Sequence, residues 1–168
     1  MSPPRSQLRI LGIDPGSQTT GWGLIEVTRG GLRCLDHGVI RLPQKARLPE
    51  RLSLLHEGMT SLLRQTEPSE VAVEELYVAR NVRSALTLGH ARGVILLACA
   101  QSGLVPAEYP ANTVKQAVLG QGGASATKER VAFMVQAILG LEEIPQPADI
   151  TDALACAICH AHKRDLPT

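Results

Sequence analysis

An apolar run over residues 8–14 ends on an aspartate, Asp14, and Pro15-Gly16 follows at once. The run predicts a buried strand, and the Pro-Gly pair predicts the turn that ends it. Strands disfavour aspartate, and a Gly-containing turn beside it would let a ligand approach the backbone. The chain is therefore expected to begin its fold with a strand that presents a functional carboxylate.

Two more strands are predicted directly after this one. Residues 20–27 and 32–42 are rich in residues typical of strands, and Gly30-Gly31 lies between them. Short glycine-containing turns between successive strands favour an antiparallel meander.

The pattern then alternates between helices and strands. Apolar residues at helical spacing predict a helix that ends before Pro68, and valines in 70–76 predict a fourth strand, parallel to the first. A helix from its N-cap Asn81 to about Ala100 and a short strand at 104–110 follow. Three further helices are expected at 112–119, 127–139 and 149–163. Leu97 is expected on the inner side of the helix that Asn81 begins, and Phe133 is expected in the core.

This order of elements predicts an α/β fold: a mixed five-stranded sheet with strands 1–3 antiparallel, later strands parallel to the first, and helices on both faces. The 168 residues suit one domain, expected over 8–165 after a flexible arm at 1–7. The net charge of +1 argues mildly against a general DNA coat. No apolar run is long enough for a membrane span, and the first residues lack the apolar core of a secretory signal, so we expect a cytoplasmic protein.

Three further carboxylates lie where predicted elements begin or end. Glu74 lies in the fourth strand, and Asp149 and Asp152 are three residues apart at the start of the last helix, so both face the same side. Taken separately, Asp149 could be an N-cap and Asp152 could favour the positive end of the helix dipole. If strands one and four are neighbours, however, all four acids can meet at one place.

Four carboxylates so close together would repel one another, which would raise their pKa values or destabilise the fold. Divalent cations remove the repulsion, and Mg²⁺ prefers oxygen ligands while keeping positions open for water and phosphate. A pair of such ions suits the in-line displacement of a phosphodiester. The acids therefore predict a Mg²⁺ site, with two ions and with Mn²⁺ able to substitute.

A cysteine motif in the last helix suggests a different function. Cys156, Cys159 and His160 form C-x-x-C-H, the attachment signature of c-type haem, and with His162 they suggest a zinc site. The stretch is a helix of small residues, in which cysteine behaves as a small apolar group, so we interpret it as core.

Four stretches resemble the RuvC family of Holliday junction resolvases: GIDPGSQTTGWGLI, VAVEELYVARNVRSALTLGHARGV, VKQAVLGQG and PADITDALACAICHAH. The resemblance extends from residue 8 to residue 162. It implies a ribonuclease-H-like fold, a homodimer, Mg²⁺-dependent nicking of four-way DNA junctions, and partnership with the RuvA–RuvB branch-migration machinery.

The resemblance also implies roles for individual residues. It assigns metal binding and catalysis to Asp14, Glu74, Asp149 and Asp152. Lys115 and Lys128 match basic positions that would bind phosphate near the metals. Tyr77 would stack on an unpaired base near the junction, where stacking is worth about 1–3 kcal/mol per base. Contacts to the DNA are expected from Arg80, Asn81 and Arg83.

Other functions remain open from the residues alone. A related nuclease acting on RNA would use the same acids, and a non-catalytic junction-binding module would be expected to lack at least one of them. An ATPase of the actin and sugar-kinase type also has an aspartate before a glycine-rich turn, but it needs a second domain. The chain is too short for that domain.

Overall fold

The computed structural model describes residues 8–75, 81–120 and 127–164. It contains five strands and five helices in the order that the sequence predicts. The strands are β1 (Leu8–Asp14), β2 (Thr19–Thr28), β3 (Gly31–Arg41), β4 (Glu70–Glu74) and β5 (Ala107–Tyr109). The helices are α1 (Leu48–Thr66), α2 (Val82–Gln101), α3 (Ala111–Leu119), α4 (Lys128–Leu139) and α5 (Ala148–Lys163).

The strands form one mixed sheet in the order β3-β2-β1-β4-β5. The pairs β1–β2 and β2–β3 are antiparallel, and β4 and β5 each run parallel to their neighbour nearer β1. The predicted mixed five-stranded sheet is thereby confirmed. The largest difference in length is at β5, since only residues 107–109 of the predicted 104–110 pair with β4.

Each face of the sheet is covered by its own set of helices. Leu11 and Ile13 of β1 pack with α1 and α2 on one face. Ile10 packs with α3, α4 and α5 on the other. Because neighbouring residues of a strand point to opposite faces, the even-numbered residues of β1, including Asp14, face α5.

Helix α5 lies deep in the molecule, and the residues from Ile150 to His160 are nearly all buried. Cys156 and Cys159, from the C-x-x-C-H stretch, are fully buried free thiols that pack in this helix. Burial raises the pKa of the Cys159 thiol to about 11. The interpretation of this stretch as core therefore agrees with its position.

Two sequence-based expectations about side-chain burial are wrong. Phe133 was expected in the core but is 60% exposed on α4, and Leu97 was expected on the inner side of α2 but is exposed. In both helices the buried stripe falls on neighbouring positions, Val131 and Val135 in α4 and Ile95 and Ala98 in α2. Among the described residues, no helix is both long enough and apolar enough to cross a bilayer.

Candidate active site

Asp14 is the last residue of β1 and pairs with Gly21 of β2. The turn that follows is held by Thr20, which is fully buried. Its hydroxyl accepts a hydrogen bond from the Gly16 amide (3.3 Å) and donates one to the Gly16 carbonyl (3.2 Å). Residue 16 must be glycine, since a Cβ there would overlap the carbonyl oxygen of Thr19. The chain beyond Asp14 is thus held in one conformation.

Glu74 ends β4 beside Asp14. The parallel pairing of the two strands runs from Ile10 with Glu70 to Ile13 with Val73, so Asp14 and Glu74 come next on each strand. Both lie two residues beyond the pair Gly12–Ala72 and therefore on the same face, the one covered by α5. The register thus places Glu74, the predicted glutamate, on the same face as Asp14.

Helix α5 brings Asp149 and Asp152 to the same edge of the sheet. Asp149 lies over Gly21, where a Cβ built on the glycine would overlap the aspartate's carbonyl oxygen and lie 2.9 Å from its Cβ. One helical turn further on, the backbone of Ala153 lies equally close to Gly12. Strand glycines permit this close approach of a helix to the sheet.

Asp149 is not an N-cap. The helix begins at Ala148, Pro147 holds the cap position, and no side chain caps the first turn by a hydrogen bond. The Asp149 carboxylate therefore remains available for another role, which removes the alternative explanation given for it above.

The electrostatics of the site are those of crowded anions. Burial, followed by the charges of Glu74, Asp152 and Asp149, raises the pKa of Asp14 to about 8. Burial and the charge of Asp152 raise the pKa of Glu74 to about 7. Burial and the charge of Asp149 also raise the pKa of Asp152. The acids are close enough to oppose one another's ionisation, as the sequence predicts.

Two lysines reach the same place. Lys115 of α3 and Lys128 of α4 line a cavity of about 200 Å³ together with Glu74 and Asp152. The Lys128 Nζ lies 3.6 Å from an Asp152 carboxylate oxygen. Both lysines lower the pKa values of Glu74 and Asp152, although not enough to cancel the upward shifts. The remainder of the cavity wall is apolar and comes from Ala111, Val114, Val131 and Ala155.

The donor set suits a hard divalent cation. The acids at this edge offer carboxylate oxygens, the ligands that Mg²⁺ and Mn²⁺ favour. Burial and mutual repulsion raise the pKa values of Asp14 and Glu74, and a bound cation would oppose both effects. Within residues 8–75, 81–120 and 127–164, no three acidic, histidine or cysteine side chains are close enough to hold one ion between them. Binding of one ion by three of these acids would therefore require their side chains to move closer together.

Two of the other predicted DNA-binding residues lie at the start of α2. Tyr77 and Arg80 lie outside the described residues. Asn81 is exposed and caps α2, its side chain accepting a hydrogen bond of 3.2 Å from the Ser84 amide, as predicted. Arg83, in the first turn of α2, is exposed.

Sequence reasoning missed three residues that are not acidic themselves but help to position the acids: Thr20, Gly12 and Gly21. The glycines left a signal, because Gly21 and Gly23 alternate in β2 and so remove side chains from one face of that strand. Thr20 left none, since a threonine is ordinary in a strand.

Comparison with known proteins agrees with this geometry. Residues 10–160 match the family described as crossover junction endodeoxyribonuclease RuvC. The protein of that name from Chloroflexus aurantiacus is 49% identical over 155 residues, which cover 92% of this chain and 93% of the relative. Its counterpart from Halorhodospira halophila is 48% identical over 159 residues, with 95% and 93% covered.

A solved structure of T. thermophilus RuvC in complex with a Holliday junction substrate superimposes with a TM-score of 0.83. It is 34% identical, and the match covers 92% of this chain and 94% of that one. The ribonuclease-H-like fold expected from the resemblance is therefore confirmed.

Proposed function

The chain belongs to the RuvC family of crossover junction endodeoxyribonucleases, and on that premise we propose that it resolves four-way DNA junctions by paired, symmetrical nicks. The observation that carries this proposal is the meeting of Asp14, Glu74 and Asp152 at one edge of the sheet, each with a raised pKa. Four-way DNA junctions are the substrate, and the family's enzymes depend on a metal.

We propose that the metal is Mg²⁺, with two ions in each site and Mn²⁺ able to replace it. Asp14 and Glu74, side by side at the ends of β1 and β4, would hold the ions, and Asp149 and Asp152 would complete the set from α5. When bound, a pair of such ions stabilises both the attacking and the leaving oxygen of an in-line displacement by water.

Lys115 and Lys128 would bind oxygens of the scissile phosphate, because both line the cavity that contains Glu74 and Asp152. Each carries a full positive charge close to where negative charge develops in the transition state.

Arg83 and Asn81 lie at the start of α2, just after the segment with Tyr77 and Arg80, and together they would contact the DNA backbone and an unpaired base. Tyr77→Ala should slow the cutting of an intact junction more than of a pre-nicked one, and equal slowing would remove the stacking role.

A homodimer fits the near two-fold symmetry of the substrate. The outer side of α2 supports it, since Val82 and Leu86 are 71% and 62% exposed, and Gly89, Gly93 and the exposed Leu97 continue the same stripe. Spacings of four, three, four and four residues keep these positions on one face. Glycines in the middle of the stripe would let two α2 helices approach closely. Coupling to a RuvA–RuvB complex is proposed from the family likeness alone.

A synthetic four-way junction tests the central proposal. With Mg²⁺ the chain should nick opposing strands of the junction and spare a linear duplex of the same sequence, and EDTA should stop the reaction. Cleavage of RNA in preference to the DNA junction would favour the RNA-directed alternative. Tight junction binding without any cut would favour the non-catalytic one.

A further inference from the structure

A chain of polar side chains lies near the far end of α5 from its two aspartates. The Tyr109 hydroxyl is 2.8 Å from His160 Nδ1, and His160 Nε2 is 2.7 Å from a carboxylate oxygen of Glu70. Arg164 holds both oxygens of that carboxylate, at 2.7 and 3.1 Å. The members come from β5, α5 and β4 and from the residue just after α5.

The partners determine how the protons are arranged. An ionised carboxylate can only accept hydrogen bonds, so Glu70 accepts from the Nε2–H of His160 as well as from Arg164. In the neutral imidazole, Nδ1 then accepts from the Tyr109 hydroxyl. Burial is the largest of the effects that raise the pKa of the Tyr109 hydroxyl. The raised pKa favours the protonated hydroxyl, which is the form that donates a hydrogen bond to His160. Each of the four side chains in this network thus has a hydrogen-bond partner, as buried polar groups require.

The side-chain hydrogen bonds of this network do not include the four acids. His160 is 9% exposed and lies eleven residues beyond Asp149, about 16 Å along a helix that rises roughly 1.5 Å per residue. It is nevertheless attached to the strands that form the site, because Glu70 and Glu74 are the two ends of β4 and the Tyr109 backbone pairs with Glu74.

The contact between α5 and the sheet beside the acids consists of close packing. Gly12, Gly21 and Gly23 present no side chains, and the backbone of Asp149 and the side chain of Leu154 lie where side chains at the last two would stand. Such packing contacts are not directional, whereas hydrogen bonds are. The network at His160 supplies directional contacts along this face.

We propose that His160 is a positioning residue for the acidic site, holding α5 at one register on the sheet so that Asp149 and Asp152 stand opposite Asp14 and Glu74. This inference rests on the proposed function only in taking those acids as the metal-binding set. Tyr109 and Glu70 act through His160, and Arg164 fixes the carboxylate that His160 binds.

The test measures metal binding directly. Mn²⁺ is titrated into the DNA-free protein and free Mn²⁺ is followed by electron paramagnetic resonance. His160→Leu removes both hydrogen bonds, and Tyr109→Phe removes one oxygen and leaves the ring. Both should weaken Mn²⁺ binding, His160→Leu by about tenfold, the lower end of what supporting partners of metal ligands contribute.

Two further variants separate positioning from general stability. His160→Gln keeps an amide donor for Glu70 and an oxygen for the Tyr109 hydroxyl, so it should recover most of the affinity. Leu62→Ala removes a buried side chain from the other face of the sheet and should lower the melting temperature without changing Mn²⁺ affinity. These two results together would support the proposal.

Other outcomes overturn it. Unchanged Mn²⁺ affinity in folded Tyr109→Phe and His160→Leu would do so, and so would an equal loss of affinity in Leu62→Ala. If His160→Leu does not fold, Tyr109→Phe and His160→Gln decide. A different result would contradict the proposed function: a parent protein that binds Mn²⁺ but does not cut four-way junctions.

Discussion

Asp149 lies directly over Gly21, and its backbone carbonyl and Cβ fill the space in which a side chain at residue 21 would stand. Gly21 is in turn the strand partner of Asp14. One missing side chain therefore allows the helix that carries two acids to rest beside the strand that carries a third. The arrangement of the site depends on this contact as much as on the acids.

The first prediction concerns that glycine. Gly21→Ala should push α5 away from β2, lowering stability by about 1–3 kcal/mol, as overpacking does, and weakening Mn²⁺ binding with it. The measurements are a thermal melt and a Mn²⁺ titration. Gly30→Ala is the matched control, because its Cβ would find only the Thr28 hydroxyl at 3.9 Å. A Gly21→Ala protein with the same melting temperature as the parent would show that α5 is not held this close to β2.

The second prediction concerns Asp14. Asp14→Asn removes a proposed metal ligand and should reduce the rate of junction cleavage by more than the roughly 10–100-fold that supporting residues contribute. Junction binding should persist and weaken steeply with salt, since it depends on phosphate contacts. Rates come from single-turnover cleavage and affinities from gel shifts, with the exposed Asp36→Asn as control. Cleavage at the parent's rate would remove Asp14 from the mechanism.

The third prediction is a dependence of metal-free stability on pH. The pKa values of Asp14 and Glu74 are raised in the folded state to about 8 and about 7, from ordinary values of 3.8 and 4.5. The folded protein therefore binds more protons than the unfolded chain between about pH 4 and pH 8. The contribution of these two groups to the free energy of unfolding is therefore fully present below that range. It is lost as the pH rises through the range.

Urea denaturation in EDTA should accordingly show lower stability at pH 8 than at pH 5. Asp14→Asn should flatten the dependence and be more stable than the parent at pH 8. Adding Mg²⁺ at pH 8 should restore stability to the parent and less to the variant. A stability curve that rises from pH 5 to pH 8 in the metal-free parent would contradict the crowding of these acids.

The fourth prediction concerns Lys128, whose charge lowers the pKa values of Asp14, Glu74 and Asp152. Lys128→Met should let these pKa values rise further, so the acidic limb of the pH–rate profile for cleavage should move to higher pH. The maximal rate should fall as well, since a phosphate contact is lost. Lys45→Met, an exposed lysine between β3 and α1, should leave the profile unchanged. An unmoved acidic limb in Lys128→Met would show that this lysine does not act on the acids.

The fifth prediction concerns the exposed stripe of α2. Leu86→Glu should convert a dimer into monomers, because it places two like charges near the proposed two-fold axis. Light scattering after size exclusion measures the change in mass. Val105→Glu alters an equally apolar, almost fully exposed residue that follows α2 and lies outside the stripe, and it should stay dimeric. A dimer that survives Leu86→Glu would place the interface elsewhere.

The order of elements and the mixed sheet could be predicted from the sequence because they follow from local patterns, and local patterns also single out the four acids as candidates. Alternating or continuous apolar residues define strands, helical spacing defines helices, and an aspartate at the end of β1 is unusual wherever it occurs. Burial was harder to predict. Phe133 was assigned to the core by its type, but burial follows the face of α4 on which a residue lies.

The tertiary structure alone decided on which face of the sheet Glu74 lies, that Asp149 is free of capping, and how α5 is held in place. Glu74 faces α5 because of its parallel register with β1, and register is a relation between segments sixty residues apart. Tyr109, His160 and Glu70 are likewise distant in sequence, and only folding makes them partners. Local sequence patterns determine the helices, the strands and the candidate functional residues. The contacts that orient those residues form only when segments distant in the sequence pack together.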